Sequence, residues 1–121
     1  MMMDMKEKAM AVAAALEDKK ALDIRVLSVE NLTSLTDCFV IASAASASQL
    51  DAMADAVDEA LSKRGEPPRK KEGTPQSGWV LLDLENVMVH LFHQEKRNFY
   101  QMERLWADGV NLPLPEQKEE K

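Results

Sequence analysis

Two carboxylates, Asp83 and Glu85, stand two positions apart at the end of an apolar run. On a strand that spacing turns both toward one face, where they could share a divalent metal. Metal-dependent phosphoryl transfer also needs a glycine-rich loop or a basic cradle for the phosphates, and Ser43-Ala44-Ala45-Ser46, where such a loop would lie, has no glycine. His90 and His93 are three positions apart, which on a strand sends them to opposite faces and keeps them from chelating one ion. Ser43, Ser46 and Ser48 lie at a strand-to-helix junction; capping accounts for them, and no glycine-flanked nucleophile elbow surrounds them. The one cysteine, Cys38, sits inside Cys38-Phe39-Val40-Ile41 and reads as a small buried hydrophobe. These residues therefore predict no catalytic group, no metal ligand and no cofactor site.

Charge points the same way. The chain has 121 residues and a formal net charge of -6, so as a whole it repels a phosphate backbone and suits a partner with a basic protein surface. Basic residues do gather between Arg64 and Lys71, but no aromatics alternate with them, which limits RNA to a minor contact. No apolar run approaches the ~18 residues of a membrane span, and a lone buried cysteine suits a reducing compartment. The expectation is a cytoplasmic protein that does not enter membranes.

The elements that must position these groups follow from periodicity. Met5, Ala9, Val12 and Leu16 recur at about one helical turn, predicting a helix over residues 5–20. Ile24, Val26, Leu27 and Val29 predict a short strand over residues 22–29, followed by a polar turn around residues 31–34. Residues 38–42 are apolar on both strand faces, the pattern of a central strand. Ser46 and Gln49 form a capping-box pattern opening a helix whose stripe is Leu50, Met53, Val57 and Leu61, and Gly65 ends it. Asp51, Asp55, Asp58 and Glu59 make its outward face acidic and solvated. Residues 66–78 hold prolines, glycines and Arg69-Lys70-Lys71, a connection with at most a short edge strand.

Residues 79–82 and 87–92 are two further strands, and the four residues between them force an antiparallel hairpin, with Asn86 suited to a positive-φ turn position. Phe99, Met102 and Trp106 give residues 94–108 a helical stripe that Gly109 stops. One domain over residues 1–108 is expected, with residues 109–121, carrying Pro113 and Pro115, as a disordered tail.

The hairpin turn is the physical anomaly. An aliphatic Leu84 between acidic residues, at a turn expected to project into water, gains nothing unless another surface covers it. Trp79 opens the same hairpin, and half-exposed tryptophans are frequent interface hot spots, although pattern alone equally allows Trp79 in the core. Asp83 and Glu85 would rim such an anchor and favour a basic partner. His90, among apolar neighbours, reads as a core or interface histidine.

These stretches together carry a resemblance. Gly78-Trp79-Val80-Leu81-Leu82-Asp83-Leu84, Val87-Met88-Val89-His90-Leu91-Phe92, then Glu95, Arg97, Phe99-Tyr100 and Glu103-Arg104-Leu105-Trp106 resemble the signature of the RsfS/Iojap family, as do Asp23-Ile24 and Leu35-Thr36-Asp37-Cys38-Phe39-Val40-Ile41-Ala42 upstream. The match runs in register over residues 5–108. It implies an α/β fold, a mixed five-stranded β-sheet flanked by helices on both faces, nucleotidyltransferase-like but without catalytic residues. It also implies a function without a cofactor: binding ribosomal protein L-fourteen on the large ribosomal subunit and sterically blocking association with the small one, which represses translation under nutrient limitation. Carried over, the contact surface comprises Trp79, Asp83, Leu84 and Asn86, with Glu85 and His90. Some relatives form homodimers, so a second copy joins the expected partners. The family commonly has glycine followed by an acidic residue where this chain has Glu85-Asn86, and Ala44 or Ala45 replaces its glycine before the second helix. Two alternatives stand beside silencing: a large-subunit assembly adaptor using the same surface, and a nucleotidyltransferase-like enzyme acting through Asp83, Glu85 and magnesium.

Overall fold

Asp4 starts the first helix, α1 (Met5–Asp18). Its carboxylate accepts from the backbone N–H of Glu7 at 2.8 Å, and the Glu7 side chain reaches back to the N–H of Asp4, a reciprocal cap at the positive end of the helix. The buried stripe is Ala9, Val12, Ala13 and Leu16, with one charged member, Lys8. The computed structural model describes residues 4–29, 36–95 and 110–111; the polar turn expected at residues 31–34 lies outside these, as does nearly all of the helix expected over residues 94–108, of which Gln94 and Glu95 are helical.

Strand β1 (Leu22–Ser28) runs antiparallel to β2 (Cys38–Ala44), and β2 lies parallel to β5 (Val87–His93). A parallel neighbour needs a long crossover, and α2 (Ala47–Lys63) supplies it. The Ser46 hydroxyl caps α2 by accepting from the Gln49 N–H at 3.0 Å. Gln49 does not return the bond to Ser46; its Oε1 accepts from Ala45 N and its Nε2 donates to the carbonyls of Lys19 and Lys20, tying the α1–β1 turn to the start of α2. The short edge strand anticipated before residue 78 is β3 (Lys70–Thr74), paired with β4 (Trp79–Asp83), which pairs antiparallel with β5.

The sheet is mixed, in the order β3-β4-β5-β2-β1-β6. The sixth member corrects two expectations. Val110–Asn111, placed by composition in an unstructured tail, form β6 against β1, so six strands replace the expected five. Backbone pairing of two residues needs only a free strand edge, which β1 offers, and does not require the side-chain burial on which the composition reading rested.

Every residue of β2 is buried, as a central strand requires. Among the described residues both helices pack on one face of the sheet, against Val26, Cys38, Val40, Ala42, Val80, Leu82, Val89 and Leu91. Leu27, Val29, Phe39, Ile41 and Phe92 form a separate cluster on the second face, with Trp79 and Met88 packed partly buried against it. Two-residue alternation decides every membership: neighbours along one strand serve opposite clusters.

Candidate functional site

The β4–β5 hairpin divides the expected contact residues between the two faces. Register pairs Trp79 with Phe92, Leu81 with His90 and Asp83 with Met88, and these six side chains share the second face. Trp79, Leu81 and Met88 are each partly buried there, an apolar row bordered by the carboxylates of Asp83 and of Glu72, which pairs with Leu81 from β3.

Leu84 is not part of that row. The expectation that it projects into water is overturned, because it is only 2% exposed and belongs to the core under the helices. Its reason is phase: Val80, Leu82 and Leu84 continue one alternation although the strand ends at Asp83, and that spacing was present in the sequence. The Leu84 carbonyl is also gripped from α1. Lys8, 1% exposed, donates from Nζ to Leu84 O at 2.8 Å and pairs with Glu66 at 2.9 Å. Nothing in the local sequence marks Lys8 as buried, since its partners lie 58 and 76 positions away.

The turn differs from expectation in a second way. Glu85, not Asn86, takes the positive-φ position, at φ 79. An exposed glutamate thus holds the left-handed backbone for which the family commonly supplies glycine. Several bonds hold it there. Asp83 Oδ1 accepts from Glu85 N at 2.8 Å, Leu84 N donates to Val87 O at 2.9 Å, and Asp37 N donates to Asn86 O at 3.2 Å. Asp83 and Glu85 therefore do not form the same-face carboxylate pair that strand spacing suggested: Asp83, 8% exposed, turns one oxygen to the turn and to Arg69 Nε at 3.3 Å, while Glu85 has left the strand. Asn86 is partly buried behind the tip.

His90 lies beneath the row, 9% exposed, edge-on to Phe39 with ring centroids 5.2 Å apart and stacked with Phe92 at 6.2 Å. Burial pulls its pKa from 6.5 down to about 4, so the ring is neutral at neutral pH. Among the described residues neither ring nitrogen meets a hydrogen-bond partner.

Electrostatics around the hairpin are largely settled within the chain. Arg69 faces Asp83, Lys70 faces Glu72 at 3.0 Å, Lys71 faces Asp58 at 3.4 Å, and Lys63 faces Glu59 at 3.8 Å. Arg69, Lys70 and Lys71 of the basic cluster seen in the sequence are thus each matched to an acid. Among the described residues no group of three histidine, cysteine or acidic side chains is arranged to hold a metal ion, and no helix is long and apolar enough to cross a membrane. A shallow concavity between α1 and α2, floored by Ala11, Ala15, Ala56 and Ala60, offers no nucleophile with a base beside it.

Leu81 and Met88 were missed as surface residues. Both could have been found by carrying the alternation of Trp79 and Asp83 across the hairpin.

The chain is similar to known proteins over most of its length. A family model described as "Ribosomal silencing factor during starvation" matches residues 2–121. A Bacillus subtilis protein named ribosomal silencing factor RsfS is 38% identical over 97 residues, 80% of this chain and 82% of that one. The chloroplastic protein Iojap of Zea mays is 35% identical over 107 residues, 88% of this chain and 46% of its own. A crystal structure of a Chromobacterium violaceum protein superposes with a TM-score of 0.84 at 32% identity, covering 94% of each chain.

Proposed function

The chain belongs to the RsfS family of ribosomal silencing factors, and from that premise we propose that it binds ribosomal protein L-fourteen on the large ribosomal subunit and, by occupying that surface, keeps the small subunit from joining. Translation falls as a result when nutrients are scarce. The protein acts in the cytoplasm by occlusion, as a regulator, with neither turnover nor cofactor.

The observation that carries the surface assignment is the row Trp79, Leu81 and Met88 on the second face of the sheet, partly buried and bordered by Asp83, Glu72 and the exposed tip residue Glu85. Apolar side chains framed by carboxylates suit a ribosomal protein, whose surface is basic, because desolvation of the row gives affinity and the acids give orientation and encounter rate. The pairing of Arg69 with Asp83 and of Lys70 with Glu72 reduces charge of both signs beside the row, so the preference for a basic protein over RNA is carried by the net charge of -6 and the exposed Glu85. Of the six residues expected at the contact, Trp79 and Asp83 frame the row, Glu85 and Asn86 form the tip, His90 supports the row from below, and Leu84 acts only by holding the turn.

Light scattering tests this. Large subunits are preincubated with the wild type or Trp79→Ala, small subunits are added, and association is followed. The wild type is expected to suppress joining and Trp79→Ala to lose about thirtyfold in potency while remaining folded. Unhindered joining in the presence of excess folded wild type would overturn silencing and bring assembly of the large subunit forward.

A further inference from the structure

We propose that Gly73 is a positioning residue for the contact surface, holding the Trp79 indole in its binding orientation, with Ser77 as its second support. The inference rests on the reading of Trp79 as a contact residue and adds how the chain sets that side chain. Gly73 lies on β3 at φ 82, and Thr74, its neighbour, is the cross-strand partner of Trp79. A Cβ built on Gly73 would run into the Trp79 carbonyl oxygen and stand 2.9 Å from Cε3 of the indole. The benzo edge of the ring therefore occupies the space that any other residue at position 73 would fill. An aromatic ring laid across a strand glycine shields backbone that has no side chain of its own, and in return the glycine gives the ring one place to lie.

The turn between the strands completes the seat. Thr74 caps the 3-10 turn Pro75–Ser77, the Ser77 hydroxyl lies 2.8 Å from Thr74 O and 3.2 Å from Trp79 O, and Gly78 O accepts from His93 N at 2.9 Å. Both backbone neighbours of the ring are thereby anchored, one to the turn and one to β5. A half-buried tryptophan carries rotamer freedom that binding would otherwise have to remove, and a seat that removes it beforehand raises affinity without touching the partner.

The test uses the full chain labelled with 5-fluorotryptophan. It contains two tryptophans, Trp79 and Trp106, so two fluorine resonances are expected, and Trp79→Phe assigns them. Gly73→Ala is expected to shift or broaden the Trp79 resonance and to weaken binding to isolated large subunits about tenfold. In a Trp79→Ala background the same substitution is expected to cost clearly less than in the wild type, because the part of its effect that passes through the ring is gone while the clash with the carbonyl of residue 79 remains. An unchanged Trp79 resonance, or a loss of affinity that is equal in both backgrounds, overturns the proposal. If Trp79→Ala binds like wild type, the contact reading fails, while the resonance still decides whether Gly73 sets the ring. Should Gly73→Ala not fold, Ser77→Ala carries the same measurements: a displaced Trp79 resonance supports the seat and an unmoved one overturns it.

Discussion

Lowering the pH from about 7 to about 5 is expected to destabilise the wild type by about 2 kcal/mol through His90 alone. The imidazole has a pKa of 6.5 in the unfolded chain, and burial pulls it to about 4 in the fold. At about pH 5 nearly every unfolded chain carries this proton but only about one native molecule in ten does, which favours unfolding about thirtyfold. The sign follows from the order of the two values. With the folded pKa below the unfolded one, the native state is unpenalised above 6.5, loses stability as the pH falls from 6.5 toward 4, and loses no more below that. His90→Leu removes the titrating group at similar volume. Since neither ring nitrogen has a partner among the described residues, no hydrogen bond is lost, and the variant should be at least as stable at neutral pH. Urea unfolding of both proteins, followed by far-ultraviolet circular dichroism, measures the difference. With an m-value of about 2 kcal/mol per molar, the wild-type midpoint should fall about 1 M further than that of the variant between about pH 7 and about pH 5. Every other ionisable group is common to both proteins, so its contribution largely cancels in the comparison. Midpoints that fall in parallel would refute the burial argument, and a variant clearly weaker at neutral pH would show that the ring's contacts with Phe39 and Phe92 outweigh the cost of burying its nitrogens.

Three further outcomes follow from the hairpin and its supports. Lys8→Met leaves Glu66 and the Leu84 carbonyl facing apolar surroundings and should cost about 3–5 kcal/mol, with much of that recovered by adding Glu66→Gln, as read by thermal unfolding. Glu85→Gly should raise stability by about 0.5 kcal/mol, the relief of a left-handed glutamate less the extra freedom of glycine in the unfolded chain, whereas a lower melting temperature would contradict the strain at φ 79. Leu84→Ala should lower stability by about 2–5 kcal/mol, as expected of a core leucine, and a folded Leu84→Ala protein with unchanged stability would contradict its burial.

What was legible in the sequence depended on range. The stripes of α1 and α2, the Ser46 cap, the central strand and the antiparallel hairpin were all readable because their signals lie within a turn or two of the residues concerned. Leu84 was misplaced although its phase with Val80 and Leu82 was on view, because a short polar turn was assumed to end burial along with the strand. Lys8, the pairing of the basic cluster and the β6 partnership could not be read at all, since each joins residues that are distant in sequence and ordinary in local pattern. The position of the left-handed residue was legible only by comparison with the family, whose glycine marks the site that Glu85 occupies here. Of the expected contact residues, alternation along β4 relates only Trp79 and Asp83, and the β4–β5 register was needed to bring His90 to the same face and to show that Leu81 and Met88 complete the row.

The parallel pairing of β2 with β5 governs how this chain must be made. Cys38 waits for Val87 and Ala44 for His93, so the seven buried residues of β2 are synthesised well before the strand that covers one of their two edges exists. Until then the growing chain has a helix, a hairpin edge and an exposed apolar strand with the composition of an aggregation-prone segment. Premature termination between α2 and β5 would release that strand with one edge unpaired. A member of a ribosomal silencing factor family thus has a fold whose safety depends on its own translation being finished promptly, and Val110–Asn111 close the outer edge of β1 only after β5 has been made.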